Sequence, residues 1–332
     1  MAANAGLTMM RYGGAMIDAT SPSLDPASPE QELSAALSRA DVVADTVVPI
    51  LRHVLSNEDN SLFGDEIVAR IRGMIRHLSV QLLDRLASAS NGTAPSQHEA
   101  DLAAQLSDHL LESDGLVCHV HALALEYQLA ERLRSRFGVD PVLTPLLQDR
   151  IASSDPDLAA LAMRFLAAQA RHGQSQGRMK LPLLELPGDH LHHALLAMQA
   201  IDPQTRADAA VQGIRRDYDE ASTRLGLASL LLARMGADAS EALKINHAGV
   251  ALFASALEIA SGLDRDSAIL ATHETQAARL ALALRSAGAK LDVVRDQYLT
   301  LHSELEFPEH FDAIGPDRAA ALLASGSSFD GF

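Results

Sequence analysis

The chain has 332 residues, with 43 acidic against 27 basic side chains, a formal net charge of -16, and 48% apolar residues, mostly Ala and Leu. A single Cys (Cys118) leaves no internal disulfide to form, and so acidic a chain repels phosphate backbones. No apolar run reaches the roughly 18 residues that a membrane span needs, so a cytoplasmic setting with no nucleic-acid partner is expected.

Residues 1–29 hold Gly13-Gly14 and the prolines Pro22, Pro26 and Pro29 with little apolar periodicity, and they read as a mobile tail. Arg11 lies inside this Gly- and Met-rich stretch and precedes no apolar run, so no secretory leader is expected. Leu33, Leu37, Ala40, Ala44, Val47, Leu51 and Val54 then recur at alternating four- and three-residue steps, a heptad seam on one helix face. Pro49 removes one backbone donor and should bend that helix. Ile67, Ile71, Met74, Leu78, Leu82 and Leu86 stripe a second helix from about Leu62 to Ala87. The polar run Ser56–Ser61 between them predicts an antiparallel hairpin over 30–90. One apolar stripe is more than two helices need for each other, so the hairpin is also a possible dimerisation element. Ser88–Gln97 reads as a linker.

Downstream, Asp140-Pro141, Asp155-Pro156 and Asp202-Pro203 each suggest a capping carboxylate ahead of a first-turn proline. Gly138, Gly173, Gly236, Gly262 and Gly288 stand where helices should stop. The Pro-bounded segment Lys180–Pro187 reads as an extended connector packed down by its leucines. Gly236, Gly262 and Gly288 are evenly spaced, and His247 and His273 follow the first two at one offset behind the candidate caps Asn246 and Thr272. That spacing suggests units of a short helix, a turn and a longer apolar helix, stacked in HEAT-like fashion. The expected fold is all-α: an N-terminal helical hairpin, then α-solenoid-like stacked helical pairs over 98–325, then a tail over 326–332.

The stretches Leu252–Leu257, Ser261–Ile269 and Gln276–Gly288, with the early phrase Leu62–Ile67, resemble an alphaproteobacterial family of helical, HEAT-like proteins of unknown function. The resemblance covers about 60 residues. It implies a helical fold in a bacterial cytoplasm and carries over no catalytic residue.

Fourteen histidines are the most chemical feature of the chain. In Asp189-His190-Leu191-His192-His193, helical spacing puts Asp189 with His193, and His190 with His193, one turn apart, a candidate pair of metal ligands. The competing reading is an N-cap followed by surface histidines. Cys118, His119 and His121 alternate faces and cannot chelate one ion together, so Cys118 reads as a small core residue. His247 and His273 are candidates for a shared ligand surface at helix starts, or else solvated. His77, on the second helix of the hairpin, resembles a phosphotransfer histidine in placement but is followed by Leu78 where an acidic neighbour is usual. Glu304, Glu306, Glu309 and Asp312 with His302 and His310 read as a solvated turn around Pro308. No phosphate loop, dinucleotide fingerprint, H-E-x-x-H or nucleophile elbow is present. The expected function is a non-enzymatic protein-interaction or regulatory module without a cofactor. The alternative is a signalling component with histidine phosphotransfer or metal-dependent activity.

Overall fold

The structure is a computed structural model that describes residues 28–56, 65–88, 97–202 and 205–326. Among these the chain forms fourteen α-helices and five 3₁₀ segments, with no strand, as an all-α protein should. The polar loop after the first helix and the linker after Ser88 lie outside the described residues, as do both tails apart from Ser28, Pro29 and Gly326.

Helix α1 (Pro29–Ser56) buries the seam that its heptad spacing announces. Leu33, Leu37, Ala40, Ala44, Leu51 and Val54 are all buried, and Val47 is partly so. The seam is covered by the chain itself. Toward its N-terminus α1 packs on α4 (Asp114–Phe137) and α12 (Ala277–Ser286). There Asp41 pairs with Arg279 out of solvent, and the Gln276 amide donates to the Ala40 carbonyl at 2.8 Å. Arg318 reaches Glu30 at 2.6 Å. Toward its C-terminus α1 turns to α2 (Asp65–Ser88), and Arg52 donates to the Leu111 carbonyl at the end of α3 (Gln97–Leu111). α1 therefore bridges two parts of the molecule instead of pairing with α2 alone, and the stripe on which self-association was expected is filled within one chain. The helix continues past Pro49, which supplies no backbone donor.

Two cores result. One gathers the second half of α4 with α5 (Pro145–Ile151), α6 (Pro156–Gly177) and α9 (Arg224–Met235). The same core takes in α10 (Ile245–Ser261), α11 (Arg265–Leu270), α12, α13 (Leu291–Leu301) and α14 (Pro316–Ser325). The other joins α2, α3, the first turns of α4, α7 (Gly188–Ile201) and α8 (Thr205–Asp217). α4 serves both: Leu116, Val117, Val120 and Leu123 enter one, Leu129 and Leu133 the other. A helix used on all sides must be apolar on all sides, and α4 is buried almost continuously from Leu116 to Ala124.

Helix boundaries follow local chemistry, with departures. Asp155 caps α6 as expected, accepting from the Asp157 and Leu158 amides at 3.0 and 3.3 Å. Asp140 opens no helix. Its carboxylate takes the Val142 and Leu143 amides at 2.8 Å in a turn, and Thr144-Pro145 caps α5 instead. Asp202 closes α7. Gly138 and Gly262 terminate α4 and α10 in the left-handed region, but Gly173 lies inside α6. After Gly236 comes a 3₁₀ segment and then α10; after Gly262 comes α11 and then α12, the short-then-long order that the spacing suggests. The caps differ: Asn246 lies within α10, and the Thr272 hydroxyl bonds back to the Ile269 carbonyl.

α10 kinks at Gly249, whose φ of 71° and ψ of 169° break the helical path. A Cβ there would stand 2.5 Å from Thr144 Cγ2, so both backbone and space demand glycine. Gly249→Ala is expected to lower unfolding free energy by about 1–3 kcal/mol through backbone strain alone. Adding Thr144→Ser, which removes the clashing methyl and keeps the capping hydroxyl, should recover only the contact part. Urea denaturation of the three proteins checks this; unchanged stability of Gly249→Ala would overturn the strain argument.

Candidate metal centre

Three side chains from three helices converge beside α4. His119 lies on the second turn of α4, whose start is fixed by the Ser113 hydroxyl accepting from the Leu116 amide. His190 lies in the first turn of α7, just after the connector. Asp266 lies in the first turn of α11, which Asp264 caps by accepting from Ser267 N at 2.8 Å. His119 Nδ1 stands 3.1 Å from both Asp266 carboxylate oxygens, and His190 Nε2 stands 3.9 Å from Oδ2. The two imidazole rings lie 4.8 Å apart, tilted by 33°. One donor atom from each of the three residues falls within 4.8 Å of the others. Gly115, one turn before His119, makes room: a Cβ there would already touch His190 Cε1 at 3.4 Å.

His119 is 2% exposed, and His190 Nδ1 is buried with no hydrogen-bond partner. An orphaned buried nitrogen is costly, by about 1–3 kcal/mol, and marks a place where a further partner fits. Burial would raise the Asp266 pKa, but the His119 charge and hydrogen bond, with His190 and Arg265, hold it below the usual carboxylate range. Burial, then His119, pushes His190 down, opposed by Asp189 and Asp266.

The triad opens on a cavity of about 570 Å³ whose wall includes Cys118, Asp189, Glu220, Glu258 and Asp264. Burial, with Asp264 and Asp266, raises the Glu258 carboxyl. Burial, with Asp266, Asp264 and Asp114, pushes the Cys118 thiol up to about 12, so it stays protonated at neutral pH. Two imidazoles and one carboxylate with open positions facing a cavity suit a divalent transition metal acting as Lewis acid or water activator.

The expected ligand set Asp189, His190 and His193 divides. His190 joins the triad, Asp189 lines the cavity, and His193 is exposed beside His192. His119 and Asp266, 147 residues apart, carried no local signal of their meeting. His119 faces Asp266 while His121 is buried near His273, as face alternation suggests, but Cys118 and His119 border the same cavity. Face alternation says nothing of partners elsewhere in the chain. Cys118 is partly buried: it packs against the second core, as expected of a small core residue, and also borders the cavity.

His77 is half-buried, with Nδ1 2.8 Å from the Leu181 carbonyl. Gln81 also grips this connector, accepting from Leu183 N and donating to Leu181 O, each at 2.9 Å. The connector itself forms a 3₁₀ turn, Leu183–Glu185, between extended Pro182 and Leu186. His247 stands 3.9 Å from Asp149 on α5, while His273 caps the 3₁₀ segment Glu274–Gln276 through Thr275, so the two serve different neighbours.

The acidic segment around Pro308 keeps Glu304, Glu306, Glu309, His310 and Asp312 exposed, as expected of a solvated turn, but its aromatic residue and His302 pack inward. Phe307 packs edge-on against Tyr298 and Phe311, each at 5.2 Å, and the Tyr298 hydroxyl donates to the Glu306 carbonyl. His302 is buried against Tyr298, its Nε2 without a partner.

Burial holds both His121 and His302 down at about 4, with His273 adding to the first, and Arg132 then His273 to the second. Each is neutral in the folded chain and regains its ordinary value of 6.5 on unfolding. Their contribution is therefore complete above pH 6.5 and is lost as pH falls toward 4, by about 3 kcal/mol for each. Urea unfolding followed from pH 7.5 to 4.5 should show this fall, and His302→Phe should make it shallower. Stability that is flat across that window would overturn the assignment.

No protein-family model, curated protein or solved structure matches this chain.

Proposed function

We propose that this chain is a metal-dependent protein that holds one divalent transition-metal ion on His119, His190 and Asp266 and presents it to a small molecule in the adjoining cavity. The observation that carries this reading is the convergence of three metal-ligating donors, from three helices, within 4.8 Å at the wall of a cavity. Donors in a tetrahedral site stand about 3.4 Å apart when bonds are near 2.1 Å. Binding therefore needs the widest pair to close by about 1.4 Å, a side-chain adjustment. The orphaned His190 nitrogen would gain its missing partner directly or through the ring's reorientation. The neighbouring carboxylates Asp189, Glu220 and Glu258 favour a cation over an anion.

The other readings have less beneath them. An interaction module that dimerises through 30–90 needs a free apolar stripe, and the seam of α1 is covered by α4 and α12. Phosphotransfer at His77 would use a half-buried ring whose Nδ1 is already bonded to the connector.

Full-length protein without a histidine tag should bind one Zn²⁺ or Co²⁺ per chain by calorimetry and elemental analysis. His119→Ala, His190→Ala and Asp266→Ala should each weaken binding by roughly 100-fold or more, beyond what outer-shell changes cause. His77→Ala and His192→Ala should leave it unchanged. At 100 times Kd the metal should raise unfolding free energy by about 2.7 kcal/mol. Absence of stoichiometric binding, or binding indifferent to all three ligand variants, would sink the reading.

A further inference from the structure

Beneath the triad lies a buried ion centre. Glu126, on α4 seven residues after His119, accepts from Arg224 at 2.6 and 3.1 Å and from Arg265 at 3.1 Å. All three side chains are at most 7% exposed. Seven residues are two helical turns, so His119 and Glu126 share one face of α4. That face meets two consecutive residues of α11: Glu126 holds Arg265, and His119 holds Asp266. α11 has only six residues, too few to persist alone, so its place is set by what grips it. The Arg265 guanidinium is gripped by Glu126, more loosely by Ser255 Oγ at 3.4 Å, and by the Ala251 carbonyl at 3.5 Å. Among these only Glu126 is charged. The backbone amide of Arg224, by contrast, donates to the Glu185 carboxylate at 2.8 Å, in the connector that feeds directly into α7 and His190.

We propose that Glu126 is the positioning residue of the metal centre: through Arg265 it sets the distance of Asp266 from His119. This rests on the triad being the metal site. Glu126 touches no metal. It acts through α11, so its loss lowers affinity by letting the carboxylate donor wander while both histidines remain.

Co²⁺ titration of the whole chain, read by visible absorption, tests both layers. Wild-type protein should bind one Co²⁺ with the intense bands of low coordination number. Glu126→Gln should weaken binding by roughly 10–100-fold, the range for residues that orient a ligand, and the bound Co²⁺ should lose most of its band intensity as water replaces Asp266. Should Glu126→Gln fail to fold, the triple variant Glu126→Leu, Arg224→Met, Arg265→Met leaves no unpaired charge behind and should show the same two changes. Arg279→Met, which breaks the buried Asp41 pair away from the cavity, controls for lost stability and should keep wild-type affinity and spectrum. If wild-type protein binds no Co²⁺, the metal reading fails. If it binds and the Glu126 variants match it in affinity and spectrum, or Arg279→Met weakens binding equally, the positioning role fails.

Discussion

A carboxylate buried between two guanidinium groups organises this molecule. Taking Glu126 out of water costs several kcal/mol, and that cost is offset only where Arg224 and Arg265 stand on its oxygens in good geometry. Their charges outweigh burial and hold the Glu126 carboxyl far below its usual range. The same charges act with burial on His172, which is pushed well down and stays neutral. Such a centre adds little net stability over an apolar replacement, but it tolerates few arrangements. It therefore selects how α4, α9 and α11 meet, where an Ala- and Leu-rich interface would accept several registers. One glutamate with two arginines also leaves a surplus positive charge in the interior, and Asp266 lies where that surplus helps keep it ionised.

Much of the helical framework was legible in the sequence because its causes are local. The seam of α1 was visible in the spacing of Leu33 to Val54, and the Asp155-Pro156 cap in two adjacent residues. Similar local chemistry has more than one outcome, as Asp140-Pro141 shows: the carboxylate takes two amides of a turn, and the helix waits for Thr144-Pro145. Gly173 shows the same for glycine, which permits a helix stop without imposing one. What covers a helix face is not local at all. The seam fits a hairpin partner, a second copy or a distant helix equally well, and the choice of α4 and α12 depends on residues far along the chain.

The site was half legible for the same reason. His190 stood out through its acidic and imidazole neighbours, yet its partners come from α4 and α11. Its closest sequence neighbours, His192 and His193, point to solvent, because α7 turns only one face inward. Asp266 was hidden among the many carboxylates of a strongly acidic chain. Those carboxylates now have distinct duties: Asp155 and Asp264 cap helices, Asp41 and Glu126 anchor arginines, and Glu220 and Glu258 border the cavity. Three of the aromatic residues, Tyr298, Phe307 and Phe311, clasp the segment that leads into α14.

The docking of α1 on α12 has a consequence for how the chain is made. Asp41 must wait for Arg279, 238 residues later, and at about 5–20 residues per second that is roughly 10–50 s of synthesis. Until α12 is made, the part of α1 that docks on it stays uncovered. A nascent chain of this kind calls for a chaperone or early provisional packing on α4, and crowded polysomes are where its misassembly would begin.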